Sequence, residues 1–144
     1  RTDITLLDRG TAGSPEEVTE IYHKALSCDC YFMSANAISM DGQLVNTDGT
    51  GNRIAALIYG PENVIIIAGM NKVAATLEDA ETRVKAQATP PNCLRLNKKT
   101  PCAATGVCHD CFGEDCICSH TVITRRSAVK GRIKIILVGE ELGY

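Results

Sequence analysis

The residues from Val64 to Ala68, which read VIIIA, constrain the fold more than any other stretch of the chain. A run of apolar, mostly β-branched residues is typical of a strand that is covered on both faces, as in a parallel sheet. A glycine-led turn, Gly69 to Lys72, follows the run, and helical periodicity then extends from Val73 to Ala88. A strand, a tight turn and an amphipathic helix form the first half of a right-handed βαβ unit. The sequence therefore predicts an α/β domain with a parallel-dominated sheet and helices on both faces.

The same pattern predicts which side chains form the core. Val64 to Ala68 is expected to be a central strand, and the helix from Val73 to Ala88 is expected to cross one face of its sheet. Arg83 is expected to face water. Pro90-Pro91 is expected to separate the helix from the cysteine-rich region. The inner stripe of the helix is predicted to be Val73, Leu77, Ala80 and Val84.

The remaining predicted elements are shorter. Ser14 and Pro15 predict a helix start, because serine caps the first turn and proline is tolerated at its first position. Residues Cys30 to Ser39 read as one apolar strand, and Gln43 to Asn46 returns as a second strand after an Asp41-Gly42 turn. A short helix is predicted over Ile54 to Tyr59. Two further strands are predicted at His120 to Thr124 and Arg132 to Val138.

Length and composition exclude several classes of protein. A chain of 144 residues is expected to form one domain, 1–144, with a sizeable core. A net charge of −2 gives no basic field for nucleic acid, and two Phe, four Tyr and no Trp give few rings for base stacking. The longest apolar run is too short to cross a membrane. Because the eight cysteines gather mainly in one loop, the sequence favours a cytoplasmic location.

Five of the eight cysteines lie between Cys102 and Cys118, in the run PCAATGVCHDCFGEDCIC. Cys108 and Cys111 have the C-x2-C spacing at which two sulfurs can reach one ion. Four thiolates in a short loop can surround a metal ion or cluster, since thiolate is a soft ligand. The segment 101–119 is therefore predicted to be a cysteine-rich ligand loop.

The spacing of these cysteines leaves the ligand open. Structural zinc sites usually combine two close pairs, whereas this loop has one close pair with outliers on both sides. Iron–sulfur loops tolerate longer gaps, so an iron–sulfur cluster is favoured over zinc. A loop that is reduced or stapled by disulfides and holds no metal is the third interpretation, and an aerobic preparation could hold none.

A second candidate site is the polar loop from Thr47 to Arg53, TDGTGNR, which leads into the short predicted helix. A glycine-rich loop at a helix start presents free N–H groups to an anion, and Arg53 adds a guanidinium that can bind bidentately. Asp-Gly and Gly-Asn pairs also form ordinary turns. Local sequence therefore leaves anion binding and simple turn formation open.

Five ordered motifs connect these features to a family. They are NA-x3-DG, DG-x-GNR, GP-x2-V, G-x-NK and VGE-x-LG, and they span the chain from about Ser34 to Tyr144. With these motifs and the run PCAATGVCHDC, the sequence resembles the LUD-domain, or lactate-utilisation, family. The resemblance implies a fold like that of the ribose-phosphate isomerase and CoA-transferase superfamily. It also implies a link to bacterial oxidation of lactate, beside iron–sulfur redox subunits.

The resemblance also implies site residues. The usual cysteine pattern of the family maps onto Cys102, Cys108, Cys111 and Cys118, and Cys116 stands where the family often has arginine. Cys116 is therefore expected to turn outward or to substitute as the fourth ligand. No catalytic residue is implied. The residues expected to bind a small carboxylate or a phosphorylated metabolite are Asn36, Asp41, Asp48, Gly49, Gly51, Asn52, Arg53, Asn71 and Lys72.

Two functions from different classes are compatible with these features. The first is a metabolic or redox subunit that handles a small carboxylate and carries a cysteine-bound metal. The second is a structural or regulatory partner in which the cysteine loop only staples the fold. Whether the protein is an enzyme stays open, and a homo-oligomer is compatible with either function. Since family members carry a further N-terminal segment, the chain is expected to lack part of the domain.

Overall fold

The computed structural model describes residues 3–144, which form two sheets and five α-helices. The helices are α1 (Pro15–Ala25), α2 (Asn52–Ile58), α3 (Leu77–Arg83), α4 (Thr89–Arg95) and α5 (Pro101–Thr105). The strands are β1 (Cys30–Met33), β2 (Ala37–Ser39), β3 (Leu44–Asp48), β4 (Asn63–Gly69), β5 (Val73–Ala74), β6 (His120–Thr124) and β7 (Ile133–Val138). Within residues 3–144, no helix is both long and apolar enough to cross a bilayer.

The first sheet, called here the parallel sheet, has the strand order β1-β4-β7. Both pairings are parallel, with Val64 opposite Tyr31 on one side and opposite Ile133 on the other. Val64, Ile66 and Ala68 are fully buried. The predicted position of Val64 to Ala68 as a central strand is therefore confirmed.

The second sheet, called here the mixed sheet, has the order β5-β2-β3-β6. Strands β2 and β3 form the predicted hairpin around Gly42, whose φ of 90° suits glycine. Alternation along the hairpin sends its side chains into two cores. Ile38 and Leu44 join the core over the parallel sheet, with Leu57 of α2, whereas Ala37 and Val45 join the core under α3.

The predicted fold class is confirmed: the protein is α/β, and within residues 3–144 three of the five strand pairings are parallel. The helix after β4 was predicted to cross one face of the sheet that contains β4. This prediction was wrong, because α3 packs on β2, β3 and β5 of the mixed sheet. In the described chain, the outer face of the parallel sheet exposes Phe32, Ile67 and Ile136. The strand pattern alone does not distinguish which of two sheets a helix covers.

The predicted strand from Cys30 to Ser39 is in fact two strands that lie in different sheets. The chain leaves the parallel sheet after Met33 and enters the mixed sheet at Ala37. Between them, the side-chain oxygen of Asn36 accepts a hydrogen bond from the backbone N–H of Thr47 at 2.9 Å. That bond fixes the point at which the chain passes from one sheet to the other. Hydrophobic periodicity could not predict it, because the bond joins two polar groups.

The predicted helix from Val73 to Ala88 was wrong at both ends. Val73 belongs to β5, and α3 begins only after Thr76, which forms a capping box with Asp79. At the other end, the chain passes through a π-helical turn, Val84–Ala88, directly into α4. Proline is tolerated in the first turn of a helix, and the wider π-turn removes the usual i→i−4 bonding pattern. The prediction that Pro90-Pro91 breaks the helix was therefore wrong, because both prolines lie inside α4.

Replacing Ile66 by aspartate should lower the free energy of unfolding by several kcal/mol, because an unpaired carboxylate would be buried in the core. The matched control is Ile67→Asp on the same strand, since Ile67 is 39 % exposed and Ile66 is 0 % exposed. Urea unfolding followed by circular dichroism measures both. Equal stability of the two variants would contradict the assignment of the core face.

Candidate functional site

The carboxyl ends of all three strands of the parallel sheet meet at one edge of the molecule. Ser34 to Asn36 follows β1, Gly69 to Lys72 contains the end of β4, and residues 139–143 follow β7. In open α/β sheets, ligands bind outside the carboxyl ends of the strands. This edge is therefore the first place in the fold to search for a site.

The segment after β7 lies directly on the turn after β4. Asn71 holds it from both sides: its Nδ2 donates to the carbonyl of Gly143 at 2.9 Å, and its Oδ1 accepts from the N–H of Leu142 at 3.2 Å. A Cβ on Gly69 would stand 2.5 Å from the carbonyl oxygen of Glu140 and the nitrogen of Leu142. Only glycine leaves room for this crossing.

Lys72 lies beneath that crossing and is 6 % exposed. Its Nζ donates to Ser34 Oγ at 3.1 Å and lies beside Gly143, where a Cβ would be 3.5 Å away. Among the contacts of residues 3–144, Lys72 has no carboxylate partner. Burial lowers the pKa of Lys72, and the charges of Arg83 and Arg53 lower it further. A buried ammonium without a counter-ion is costly, so Lys72 is a strong candidate to bind an anion.

Arg83 was expected to face water but is 7 % exposed. Its Nε donates to the carbonyl of Asn71 at 2.8 Å, and its Nη1 donates to the carbonyl of Asn36 at 2.6 Å. The guanidinium thus joins the loop after β1 to the turn after β4. The sequence did contain a sign that Arg83 is buried: it follows Ala80, a predicted core residue, by three positions, and this spacing puts both residues on one helix face.

Arg53 forms the third cationic part of this edge. Its Nη2 donates to the Thr47 carbonyl at 2.9 Å and to Asn36 Oδ1 at 3.4 Å, and its Nε lies 3.6 Å from Asp48 Oδ2. The backbone N–H of Arg53 also donates to Asp48, at 3.1 Å. One of the N–H groups expected to face an anion, that of Arg53, is therefore already bonded to protein. Arg53 contributes its guanidinium rather than a helix terminus.

Asn46 is a residue that the sequence did not single out. It is fully buried, and within residues 3–144 neither its side-chain oxygen nor its side-chain nitrogen has a hydrogen-bond partner. Alternation along β3 puts Asn46 on the same face as Asp48. Buried polar groups are normally paired, so an unpaired amide marks a position where a ligand or water can bind. The sign in the sequence that could have indicated Asn46 is a single Asn within a predicted strand.

The other predicted binding residues lie outside the cationic edge. Asp41 is exposed at the opposite end of the β2–β3 hairpin, where its carboxylate bonds Ser39 and Gln43 and these bonds lower its pKa. Gly49 and Gly51 lie against the end of the cysteine segment, near Ile117 and His120. Asn52 is the first residue of α2 and is half-buried.

A second feature lies on the far side of β3: a cavity of about 510 Å³ that is lined by six thiols. Val45 and Thr47, which alternate with Asn46 and Asp48, form part of its wall. It is called here the thiol cavity. Its cysteines are Cys93, Cys102, Cys108, Cys111, Cys116 and Cys118.

The thiol cavity brings together all the predicted ligands and one cysteine, Cys93, that the cysteine spacing did not indicate. Cys93 comes from α4, and its Sγ is 3.6 Å from that of Cys102 on α5. Burial raises the pKa of Cys93. Cys116 lines the cavity with the others, while Cys118 is exposed with its Sγ 3.8 Å from Thr89 Oγ1.

The thiol cavity fits a soft metal in its chemistry but not yet in its geometry. All eight cysteines are free thiols, and six soft donors around one cavity suit zinc or iron. Within the described chain, however, no group of three or more Cys, His, Asp or Glu side chains is placed to hold a metal ion. The thiols are neighbours, but in residues 3–144 they do not form a closed ligand set.

Comparison with known families identifies the family of this chain. A family model described as LUD domain matches residues 1–138 of the 144. The chain belongs to the LUD-domain family. The LUD domain is the domain of lactate-utilisation-type proteins. Neither the comparison with curated proteins nor the comparison with solved structures gave a match.

Four of the five motifs noted in the sequence contribute residues to this edge. The G-x-NK motif supplies Gly69, Asn71 and Lys72, and the VGE-x-LG motif supplies the segment that Asn71 binds. The Asn of NA-x3-DG and the Arg of DG-x-GNR are Asn36 and Arg53, which bond each other. The motifs most separated in sequence therefore build one polar cluster at the carboxyl edge.

Gly69→Ala in this LUD domain should loosen residues 139–143 from the edge, because the new methyl group would overlap the backbone at Glu140 and Leu142. The control is Gly139→Ala, where a Cβ meets nothing within 4 Å. Hydrogen exchange should show faster exchange of the Leu142 amide in Gly69→Ala only. Unchanged exchange in Gly69→Ala would contradict the close crossing.

Proposed function

We propose that this LUD domain binds a small carboxylate, of the lactate or pyruvate type, or a phosphorylated metabolite at the carboxyl edge of its parallel sheet. The observation that carries the proposal is Lys72, a buried ammonium that donates to the hydroxyl of Ser34. Arg53 and Arg83 are the charges that act on it, and both are cationic.

Charge balance supports an anionic ligand. In the described part of this cluster, three cations face one carboxylate, that of Asp48. Like charges in a partly desolvated site repel one another, and a bound anion relieves the repulsion. Carboxylate and phosphate are the anions that arginine and lysine bind through charge-assisted hydrogen bonds. Family membership favours the carboxylate of a lactate-utilisation pathway.

The biological role that we propose is a metabolic or redox subunit acting beside iron–sulfur proteins in the cytoplasm. Eight cysteines without a disulfide favour a reducing compartment. The alternative is a structural or regulatory partner that binds no metabolite. Binding of a 2-hydroxy or 2-oxo acid at the carboxyl edge distinguishes the two roles.

Lys72→Met and Arg53→Ala should each weaken the binding of lactate, pyruvate or phosphate by about tenfold to a hundredfold, since a hydrogen bond to a charged group contributes about 1.5–3 kcal/mol. Isothermal titration calorimetry measures the affinity. Lys24→Met is the matched control, because Lys24 is an exposed lysine paired with Glu20 on α1. No binding to the parent protein by any of the three anions would refute the proposal.

Anion binding should also depend on pH. In the protein without ligand, the pKa of Lys72 lies below its ordinary value of 10.5. A bound anion should raise this pKa, because the anion favours the ammonium form. Binding should therefore take up protons and weaken as pH rises through the lowered pKa. Calorimetry in two buffers with different ionisation enthalpies measures proton uptake. Lys72→Met should remove it, and proton uptake that persists in that variant would assign it to another group.

The thiol cavity supports a second candidate function, the binding of a thiophilic metal. We propose, in agreement with the cysteine pattern of the sequence, that the loop closes on iron–sulfur or zinc, with Cys102, Cys108 and Cys111 as ligands and Cys118 or Cys116 completing the set. The favouring observation is that these five thiols line one cavity. Metal analysis and an absorption spectrum of protein prepared without oxygen provide the test, and metal-free protein would refute it.

A further inference from the structure

We propose that Lys72 is a nucleophile that captures a 2-oxo acid, of the pyruvate type, as an imine at the carboxyl edge of the parallel sheet. This inference rests on the proposed function and deepens it, because it selects 2-oxo acids among the small carboxylates and gives them a covalent step. The observation that carries it is the position of the Lys72 amine. The amine is buried, and among the contacts of residues 3–144 it has a hydroxyl but no carboxylate beside it.

The surroundings of Lys72 favour a neutral amine over an ammonium. Its Nζ donates to Ser34 Oγ at 3.1 Å, and that hydroxyl in turn donates to the carbonyl of Ala35 at 3.4 Å. An ammonium has three N–H donors, and within residues 3–144 this bond leaves the other donors of Lys72 without a protein partner. Burying a charge that is poorly paired is costly, whereas a neutral amine at the same place costs less.

Two arginines from different helices act in the same direction. Burial lowers the pKa of Lys72, and the charges of Arg83 on α3 and Arg53 on α2 lower it further. Within residues 3–144, the carboxylate of this cluster is that of Asp48, which lies 3.6 Å from Arg53 Nε. A lysine that is desolvated beside other cations is activated as a nucleophile. The guanidinium groups also attract the carboxylate of the acid whose carbonyl group meets the amine.

The covalent step needs only the amine and the acid. The lone pair of Nζ attacks C2 of the acid, the electron pair of the C=O bond moves to its oxygen, and one nitrogen proton passes to that oxygen. The carbinolamine then loses its hydroxyl group and the second nitrogen proton as water, which leaves a C=N bond. A 2-hydroxy acid has no carbonyl at C2, so lactate can bind at the same edge but cannot form the imine.

The test incubates the whole chain with pyruvate and sodium cyanoborohydride, which reduces an imine to a stable secondary amine, and locates the product by peptide mass spectrometry. Lys72 should be modified at least about tenfold faster than the exposed Lys24 in the same digest, because a lowered pKa leaves more of its amine neutral. Lactate should slow the modification of Lys72 but not that of Lys24, since it occupies the site without reacting. In the intact protein, Lys72→Met should remove the rapid single modification, and Lys24→Met, the matched control, should keep it.

Calorimetry with pyruvate, lactate and phosphate separates this inference from the proposed function. If the parent protein binds none of the three, the proposed function fails and this inference fails with it. If the parent binds lactate or phosphate but not pyruvate, or binds pyruvate while Lys72 is modified no faster than Lys24, only the covalent capture is overturned. Rapid modification of Lys72 that lactate slows, and that Lys24→Met retains with parent-like circular dichroism, supports the capture.

Discussion

The guanidinium of Arg83 is the interaction on which the carboxyl edge depends. It donates to the carbonyls of Asn36 and Asn71, so one side chain of α3 joins the two loops in which the chain passes from the parallel sheet to the mixed sheet. These are neutral acceptors, which leave the positive charge of Arg83 uncompensated near Lys72. The same bonds that hold the edge together therefore make it electropositive. The structure of the edge and the affinity for anions that we propose have one cause at this point.

Much of the fold follows from the sequence because it depends on local periodicity. The central position of Val64 to Ala68, the hairpin at Gly42 and strands β6 and β7 were predicted, since each has β-branched or apolar residues beside a turn signal. The division of residues between two sheets was not predictable. It depends on Asn36 bonding Thr47 and on Arg83 bonding two carbonyls. A charged or amide side chain at a helical or strand position reads as solvated until its partners are known.

The contact between Cys93 and Cys102 was not predicted because one helix boundary was wrong. With a break assumed at Pro90, Cys93 falls in a linker and has no reason to approach the loop 101–119. In the structure the π-turn carries the helix onward, and α4 packs against α5 so that two sulfurs nine residues apart meet at 3.6 Å. Cysteine spacing describes thiols that share a loop, whereas a thiol on a neighbouring helix is found only through packing.

Strand β3 is the common wall of the two candidate sites. Its alternation presents Asn46 and Asp48 to the cationic side, and Val45 and Thr47 to the thiol cavity. The guanidinium of Arg53 contacts this strand at two neighbouring residues, the carboxylate of Asp48 and the backbone carbonyl of Thr47. The pleat of this one strand therefore places the two proposed sites on its opposite faces.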